Sequence, residues 1–396
     1  QDLDGRIGTY AYLNFAVDTS DPAIGALVGK MQQHGAELSQ KLMFFELEWK
    51  AAADDVVQAM LANPTLGKYK HPLESELRYK PYTLSEIEEQ LLVEKSVTGS
   101  AAWNRFFTQL LGASRYEYDG KELTQSQILN LTHDPDREVR RKAAESITAG
   151  LKKLSMQTTF IFNVLAQDKA SNDKRRGYAS WISSRNLSNK ATDETVEALV
   201  KSVTSNYDIV AQHYTLKRAI LGYDELYDYD RYAPLPIADA AHPFVFVNFT
   251  GSARDVMTLA HELGHGLHMY LSAEAQGITG LYTPLTTAEM ASVFGEMLVF
   301  TDLMNKESDP AVRLAMLAQK LEDSFATVFR QISMNRFEDA LHTARRTEGE
   351  LSTARISELW MKTQKAMFGD SVTLREDYGI WWSYVPHFLN TPGYVY

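Results

Sequence analysis

The chain has 396 residues, 44% of them hydrophobic and 11% aromatic, which is enough for a large core and two subdomains. Its net charge of −11 disfavours nucleic acid and anionic membranes as partners, because both require a basic surface. Since there is no cysteine, disulfides and Cys-ligated metal sites are excluded, and any metal must be held by His, Asp or Glu.

The sequence contains no apolar run of the roughly 18–20 residues that a membrane-spanning helix requires. It begins at Gln1 rather than Met and opens without a signal peptide. The lack of cysteine fits a reducing compartment. We therefore expect a soluble, cytoplasmic protein whose natural first residues are missing here.

Helical periodicity dominates the chain, and several helix starts can be assigned from sequence. Residues 83–86 predict a capping box ahead of a helix over 87–92. Residues 134–136 predict the start of a helix over 137–151, with proline near its first turn. Its basic side chains are expected to face solvent: Arg137, Arg140, Arg141 and Lys142.

A second amphipathic run follows in the middle of the chain. Thr192 is its expected N-cap, and we expect one helix to continue to Leu221, where Gly222 ends it. Residues 223–241 predict a loop or linker because they are rich in tyrosine, aspartate and proline. Residues 242–250 then form the best strand candidate; its edge could take up an extended peptide, or it could be an ordinary core strand.

The strand candidate leads into a predicted helix over residues 253–271, with Ser252 as its expected N-cap. Gly264 and Gly266 lie inside this helix, where each costs roughly 1 kcal/mol relative to alanine. Such a cost is usually tolerated where another backbone or a ligand must come close.

This helix carries the most informative motif of the chain. His261 and His265 are four residues apart, so both imidazoles lie on one helix face and can reach one ion. Glu262 is rotated by about 100° from His261 and can hold a water bound to that ion. The spacing is the zinc-hydrolase arrangement H-E-x-x-H; two solvated histidines on a surface helix are the alternative.

Catalytic zinc usually takes a third protein ligand and keeps one position for water. The downstream candidates are His268, Glu274, Glu289, Glu296 and Asp302. His268 is too far along the helix axis, and Glu274 falls where the helix ends. Glu289 is the best candidate because it begins a second helix that could pack on the first, and Glu296 is assigned to orient a ligand histidine.

Glu289 also has a purely structural interpretation. Thr286 and Glu289 have the spacing of a capping box, in which the carboxylate would only satisfy a backbone N–H. The residues that follow Glu289 are apolar, so a carboxylate there is expected to be buried and to need a partner. We therefore favour the ligand interpretation.

Three central segments, 242–251, 255–265 and 288–296, resemble the oligoendopeptidase F branch of the thimet-oligopeptidase-like (M3) zinc peptidases. Weaker resemblance extends over nearly the whole chain. It implies a mainly α fold in which two lobes enclose a deep substrate channel, with a small β element beside the zinc-binding helix. It also implies an incomplete N-terminal helical lobe over 1–120 and a catalytic domain over 121–396.

The chain departs from the family pattern in its length. The family has a substantial insert where this sequence has only residues 237–241, and it continues beyond Tyr396. We therefore expect residues to be missing at both places.

The resemblance implies a substrate-binding block at the C-terminus. His387, Tyr394 and Tyr396 match positions that donate hydrogen bonds to the reacting carbonyl oxygen as it gains negative charge. The alternative is a packing segment built around the aromatic residues Trp381, Trp382 and Tyr384.

Together these observations predict a zinc-dependent endopeptidase for short peptides, with one Zn²⁺ per chain held by His261, His265 and Glu289. Glu262 is the expected general base, which takes a proton from water and later delivers it to the leaving amine. Two alternatives remain: a carboxypeptidase or dipeptidyl-carboxypeptidase of the same helical architecture, and an inactive peptide-binding helical protein. The oligomeric state is not predicted.

Overall fold

The computed structural model describes residues 2–235, 253–277, 280–281, 283–390 and 392–393. Almost all regular structure in these ranges is helical, which confirms the predicted mainly α fold. The α-helices are α1 (Asp2–Val17), α2 (Pro22–Ala51), α3 (Asp54–Leu61), α4 (Lys70–Leu77), α5 (Glu86–Ser96), α6 (Ser100–Ala113), α7 (Gln125–Asn130), α8 (Arg137–Lys153), α9 (Ser155–Arg176), α10 (Ser183–Ser188), α11 (Asp193–Thr204), α12 (Tyr207–Leu221), α13 (Ala253–Gln276), α14 (Leu285–Lys306), α15 (Pro310–Phe325), α16 (Gln331–Glu348), α17 (Thr353–Phe368) and α18 (His387–Asn390).

Shorter elements connect these helices. The 3₁₀ segments are Pro64–Tyr69, Lys80–Tyr82, Leu131–His133, Asp228–Asp230 and Glu376–Tyr384. Within the described ranges the sheet structure is one antiparallel hairpin, β1 (Tyr116–Tyr118) and β2 (Lys121–Leu123). The strand predicted over 242–250 and the cap predicted at Ser252 lie outside the described residues. No helix in the described part of the chain has both the length and the hydropathy to cross a bilayer.

The predicted helix starts are partly confirmed. Asp136 caps α8 and Thr192 caps α11, each through its side chain. The predicted box over 83–86 is wrong by two positions, because Ser85 and Glu88 form the reciprocal pair that starts α5. The single helix expected from Thr192 to Leu221 is also wrong, since α11 ends at Thr204 and α12 begins at Tyr207.

The basic face of α8 is not uniformly solvated, contrary to the prediction. Arg140 is fully buried, and its Nη2 donates to Asp230 Oδ1 at 2.9 Å. Arg137 donates to the same carboxylate at 2.8 Å. The two pairs tie α8 to the 3₁₀ segment 228–230, and Asp228 in that segment binds Arg375 at 2.8 Å. The tyrosine-rich stretch is therefore held by buried ion pairs.

The main hydrophobic core lies among α6, α8, α9, α16, α17 and the segment before α18. Trp382 is fully buried, and its ring packs edge-on against Phe162 at 4.7 Å. Phe388 of α18 packs against Phe337 of α16 at 5.0 Å. The C-terminal aromatic residues are therefore part of the core, and Phe388 anchors α18 to it.

Helices α15 and α16 form one continuous rod. They are joined without a loop by a π-helical turn over Ala326–Arg330. A π turn holds one more residue than an α turn, so it rotates the side chains of the helix that follows about the helix axis.

The predicted division between residues 1–120 and 121–396 stays a prediction.

Candidate metal centre

The site is built on the pair α13 and α14, whose backbones touch at two glycines. A Cβ atom added to Gly264 would lie 2.7 Å from the carbonyl oxygen of Ala291, and one added to Gly295 would lie 2.8 Å from that of Ala260. Both distances are too short for any side chain at these positions. The cost expected for Gly264 is therefore explained by close backbone approach, whereas a Cβ on Gly266 would meet nothing within 4 Å.

This close crossing brings three potential metal ligands together. His261 Nε2 and His265 Nε2 are 3.1 Å apart. Glu289 Oε2 lies 3.4 Å from the first nitrogen and 3.7 Å from the second. The three side chains, two from α13 and one from α14, are each partly buried.

The three distances fit a metal ion. In a tetrahedral zinc site with bonds of roughly 2.0–2.1 Å, ligand atoms lie about 3.3–3.4 Å apart. The observed separations of 3.1, 3.4 and 3.7 Å bracket that value. His261 Nδ1 contacts the carboxylate oxygen Glu296 Oε1 at 2.8 Å, and a neutral ring that donates from Nδ1 carries a lone pair on Nε2. Electron-pair donors thus converge on one point, where a cation would satisfy them.

Glu296 contacts His261 through Nδ1, the ring nitrogen that is not directed at the other two potential ligands. Its Oε1 lies 2.8 Å from His261 Nδ1, and its Oε2 accepts from Lys320 Nζ of α15, also at 2.8 Å. All three side chains are partly buried. The lysine fixes the carboxylate and the carboxylate fixes the imidazole, as expected for a residue that orients a metal ligand.

The capping interpretation of Glu289 is wrong. Helix α14 starts at Leu285 with Pro284 as its N-cap, and no side chain caps it. Instead Glu289 Oε2 accepts from Ser292 Oγ at 3.2 Å and points toward the two imidazoles. Another ligand candidate, Asp302, pairs with Lys306 at 2.6 Å on the outer surface of α14. The described side chains therefore leave Glu289 as the carboxylate that joins His261 and His265.

Comparison with known proteins bears directly on this arrangement. The model of peptidase family M3 matches residues 237–396, which include both metal-site helices. The model described as oligopeptidase F matches residues 48–116. The chain belongs to peptidase family M3.

Relatives place this M3 chain on the oligoendopeptidase F branch. It is 25% identical over 448 residues to oligopeptidase PepF of Bacillus subtilis, covering 97% of this chain and 67% of the relative. It is 25% identical over 452 residues to group B oligopeptidase PepB of Streptococcus agalactiae, covering 97% and 74%. These relationships confirm the predicted metalloendopeptidase.

The fold of the M3 chain is also that of solved oligoendopeptidases. Oligoendopeptidase-F from Enterococcus faecium superposes with a TM-score of 0.80 at 22% identity, covering 98% of this chain and 76% of that one. A putative peptidase from Chlamydophila abortus gives a TM-score of 0.75 at 20% identity, covering 96% and 74%. At these identities the likeness concerns the fold.

The other predicted site residues are distributed as follows. Glu262 lies on the exposed side of α13, next to His261. His387 starts α18; partial burial of its ring and the charge of Arg330 lower its pKa, whereas the Glu289 carboxylate acts to raise it. The M3 chain thus brings His387 within electrostatic reach of the metal-site carboxylate. Tyr394 and Tyr396 lie outside the described residues.

Two contributors were not found from sequence. Ser292 is fully buried and binds Glu289, and its position one turn after the ligand was an available signal. Lys320 holds Glu296 from a different helix, and nothing in the local sequence of α15 indicates that role. Ser292 therefore contacts a potential ligand directly, whereas Lys320 acts on His261 through Glu296.

A separate cavity of about 700 Å³ lies among α1, α2, α4 and α5. Its wall includes the stacked rings of Tyr82 and Tyr178, 4.3 Å apart, and the ion pair of Glu89 with Arg176 at 2.7 Å. None of the three potential ligands lines it, so this cavity is distinct from the metal centre.

The contact between Glu296 and His261 leads to a first prediction. Replacing Glu296 with alanine should weaken Zn²⁺ affinity about 10- to 100-fold, because His261 loses the group that sets its orientation. Competition against a chromophoric chelator measures the change. Asp302→Ala, on the same helix but paired only at the surface, should bind Zn²⁺ like the parent. Equal affinity in the Glu296 and Asp302 variants would contradict the assigned role of Glu296.

Proposed function

We propose that this M3 chain hydrolyses internal bonds of short peptides with one Zn²⁺ ion held by His261, His265 and Glu289. The proposal is supported chiefly by the convergence of these three side chains within a spacing that fits tetrahedral zinc. Family membership supports the use of a metal and a peptide substrate. Cys-free composition leaves His and carboxylate as the available donors, as in this set.

When bound, the ion would supply positive charge that acidifies a water molecule and polarises the scissile carbonyl. Glu262 is the proposed general base. It stands next to a ligand on the same helix, is accessible to solvent, and is not one of the three ligands. It takes the proton of the attacking water and passes it to the leaving amine nitrogen.

His387 is the proposed hydrogen-bond donor to the carbonyl oxygen. The side chain is accessible to solvent at the start of α18, and the pKa of His387 responds to Glu289 of the metal site. A donor placed there would stabilise negative charge as the carbonyl is attacked. Tyr394 and Tyr396 follow within a few residues and are proposed as further donors, on the family resemblance alone.

Short peptides are the proposed substrates. The relatives from Bacillus subtilis and Streptococcus agalactiae are both called oligopeptidases, and the solved structure from Enterococcus faecium is called an oligoendopeptidase. The family resemblance predicts a deep channel that admits flexible peptides and excludes folded proteins. A fluorogenic peptide blocked at both ends is therefore the appropriate first substrate, because exopeptidases that need a free terminus cannot cut it.

The test combines metal content with turnover of that peptide. The protein should carry one Zn²⁺ per chain, lose activity with 1,10-phenanthroline and regain it with added Zn²⁺. Glu289→Gln should lose both zinc and activity, because an amide is a poor zinc ligand. Asp302→Asn, on the same helix, should keep both.

Three results would count against the proposal. Activity that survives full removal of metal would exclude metal-assisted hydrolysis. Full zinc content in Glu289→Gln would exclude the assigned third ligand. Cleavage of peptides with a free C-terminus, together with no cleavage of the blocked peptide, would indicate a carboxypeptidase instead.

A further inference from the structure

The segment around α18 is anchored to the core on one side. Phe388 and Leu389 are buried, and Phe388 packs against Phe162, Phe337 and Trp360. His387, the first residue of the same short helix, remains accessible to solvent. The helix has only four residues, so its own hydrogen bonds cannot hold it in one orientation.

The turn after α18 is held from two directions. Glu338 Oε2 of α16 accepts the backbone N–H of Gly393 at 2.8 Å. Arg185 Nε of α10 donates to the carbonyl oxygen of Pro392 at 3.2 Å. The carbonyl group of Pro392 and the N–H group of Gly393 are thus bound by Arg185 and Glu338, which belong to two helices distant in sequence. We call these two contacts the C-terminal clamp.

Gly393 is adapted to this clamp. Its φ of +76° lies in the left-handed region that favours glycine. A Cβ atom there would lie 3.2 Å from Arg185 Cγ and 3.4 Å from Ile182 Cγ1. The turn thus has a conformation that favours glycine and a close approach that any side chain would disturb.

Glu338 is costly to bury and has no part in the metal centre. It is 1% exposed, and burial raises its pKa to about 8, opposed by the Gly393 N–H and by the charges of Arg185 and Lys169. A carboxyl group offers an acceptor oxygen to Gly393 whether it is ionised or protonated. The contact therefore holds across the pH range, and the buried carboxyl has a structural reason to be there.

The clamp is also connected to the metal helices. Helix α10, which carries Arg185, is followed by Asn189, whose carbonyl oxygen accepts from Thr286 Oγ1 at 3.4 Å. Thr286 lies in the first turn of α14, one turn before Glu289. The same short element therefore contacts both the turn after α18 and the helix that presents the third ligand.

We propose that Glu338 and Arg185 are positioning residues, which hold the turn at 392–393, and with it α18, in register with the metal centre so that His387 faces the scissile carbonyl. This inference rests on the role proposed for His387. Glu338 binds the backbone of Gly393 and Arg185 binds that of Pro392, so the proposed effect passes through the segment that they hold.

The test uses the zinc-loaded protein and the blocked peptide. Glu338→Ala and Gly393→Ala should each lower kcat about 10- to 100-fold with KM within about threefold, because a displacement near 1 Å has that effect on a reacting geometry. Glu338→Gln should keep kcat within about threefold of the parent, since its amide oxygen can still accept from Gly393. Amide hydrogen exchange over 387–393 should rise in the two alanine variants and stay parental in Glu338→Gln.

The matched control is Gly177→Ala. Gly177 has nearly the same φ, +77°, but a Cβ there meets nothing within 4 Å. It reports the cost of a strained backbone without any displacement of the clamp, so its kcat and its exchange over 387–393 should be parental. Zinc content and melting temperature, measured for every variant, show whether each one is folded and loaded.

His387→Ala, assayed in parallel, separates the two proposals. If His387→Ala is impaired while Glu338→Ala and Gly393→Ala have parental kcat and exchange, the clamp proposal fails and the proposed function stands. If His387→Ala turns over at the parental rate, the role of His387 fails and the positioning role fails with it. If Glu338→Gln is as impaired as Glu338→Ala, an acceptor oxygen at this position is not sufficient, and the clamp proposal is also overturned.

Discussion

Replacing Glu262 with glutamine should reduce kcat on the blocked peptide about 10²- to 10⁴-fold while leaving zinc bound, because this is the range that general-base catalysis contributes. Glutamine keeps the size and hydrogen-bonding shape of the side chain but cannot accept a proton. Since Glu262 is not among the three converging ligands, the metal content should remain at one ion per chain. Steady-state kinetics and metal analysis of the same sample provide the measurement.

The control for this variant is Glu274→Gln, an exposed glutamate further along α13 that approaches none of the ligands. It should retain parental kcat and zinc content. Turnover by Glu262→Gln within a few-fold of the parent would exclude Glu262 as the base. Loss of zinc from that variant would instead assign Glu262 a role in holding the metal.

Replacing Gly264 with alanine should remove most of the zinc affinity and reduce turnover by about two orders of magnitude, the effect of a misplacement near 1 Å. The added Cβ would lie 2.7 Å from a backbone carbonyl, which cannot rotate away, so α13 and α14 must separate. Metal bonds tolerate only about 0.2 Å of displacement. His261 and His265 would then no longer share an ion with Glu289.

The neighbouring glycine provides the matched control. Gly266 is in the same helix and exposed, and a Cβ there meets nothing within 4 Å. Gly266→Ala should therefore retain zinc and turnover, and it should stabilise the protein by up to about 1 kcal/mol through helix propensity. Thermal unfolding and zinc competition distinguish the two variants. Equal zinc affinity in Gly264→Ala and the parent would show that the close crossing is not required.

The core of the site could be predicted from sequence because its signals are local. The spacing of His261 and His265 places both rings on one helix face, and Glu289 lies near the start of the next helix of the chain. The supporting contacts could not be predicted in this way. Lys320 lies 24 residues from Glu296, and Glu338 lies 55 residues from Gly393, so each depends on how separate helices pack.

The fold was predictable to a similar extent. Caps at Asp136 and Thr192 follow from side chains that bind the next turn of their own helix. The burial of Arg140 was missed because its partner, Asp230, is 90 residues away. The break between α11 and α12 was missed because the apolar pattern continues on both sides of Ser205 and Asn206, where the helix is interrupted. A tertiary contact thus decided the burial of Arg140, whereas the caps depended on local contacts.

The continuous helix formed by α15 and α16 connects the candidate metal centre with the C-terminal clamp, and its rotation along the axis sets the direction of the side chains at both places. Lys320 lies before the π turn and binds Glu296, which contacts the proposed ligand His261, whereas Glu338 lies after it and binds the C-terminal turn. Each residue of helix contributes about 100° of rotation, so loss of one residue within 326–330 would swing one of the two side chains away from its partner. Insertions and deletions in this short stretch are thus expected to break one of the two contacts, although none of its residues is proposed to touch metal or peptide.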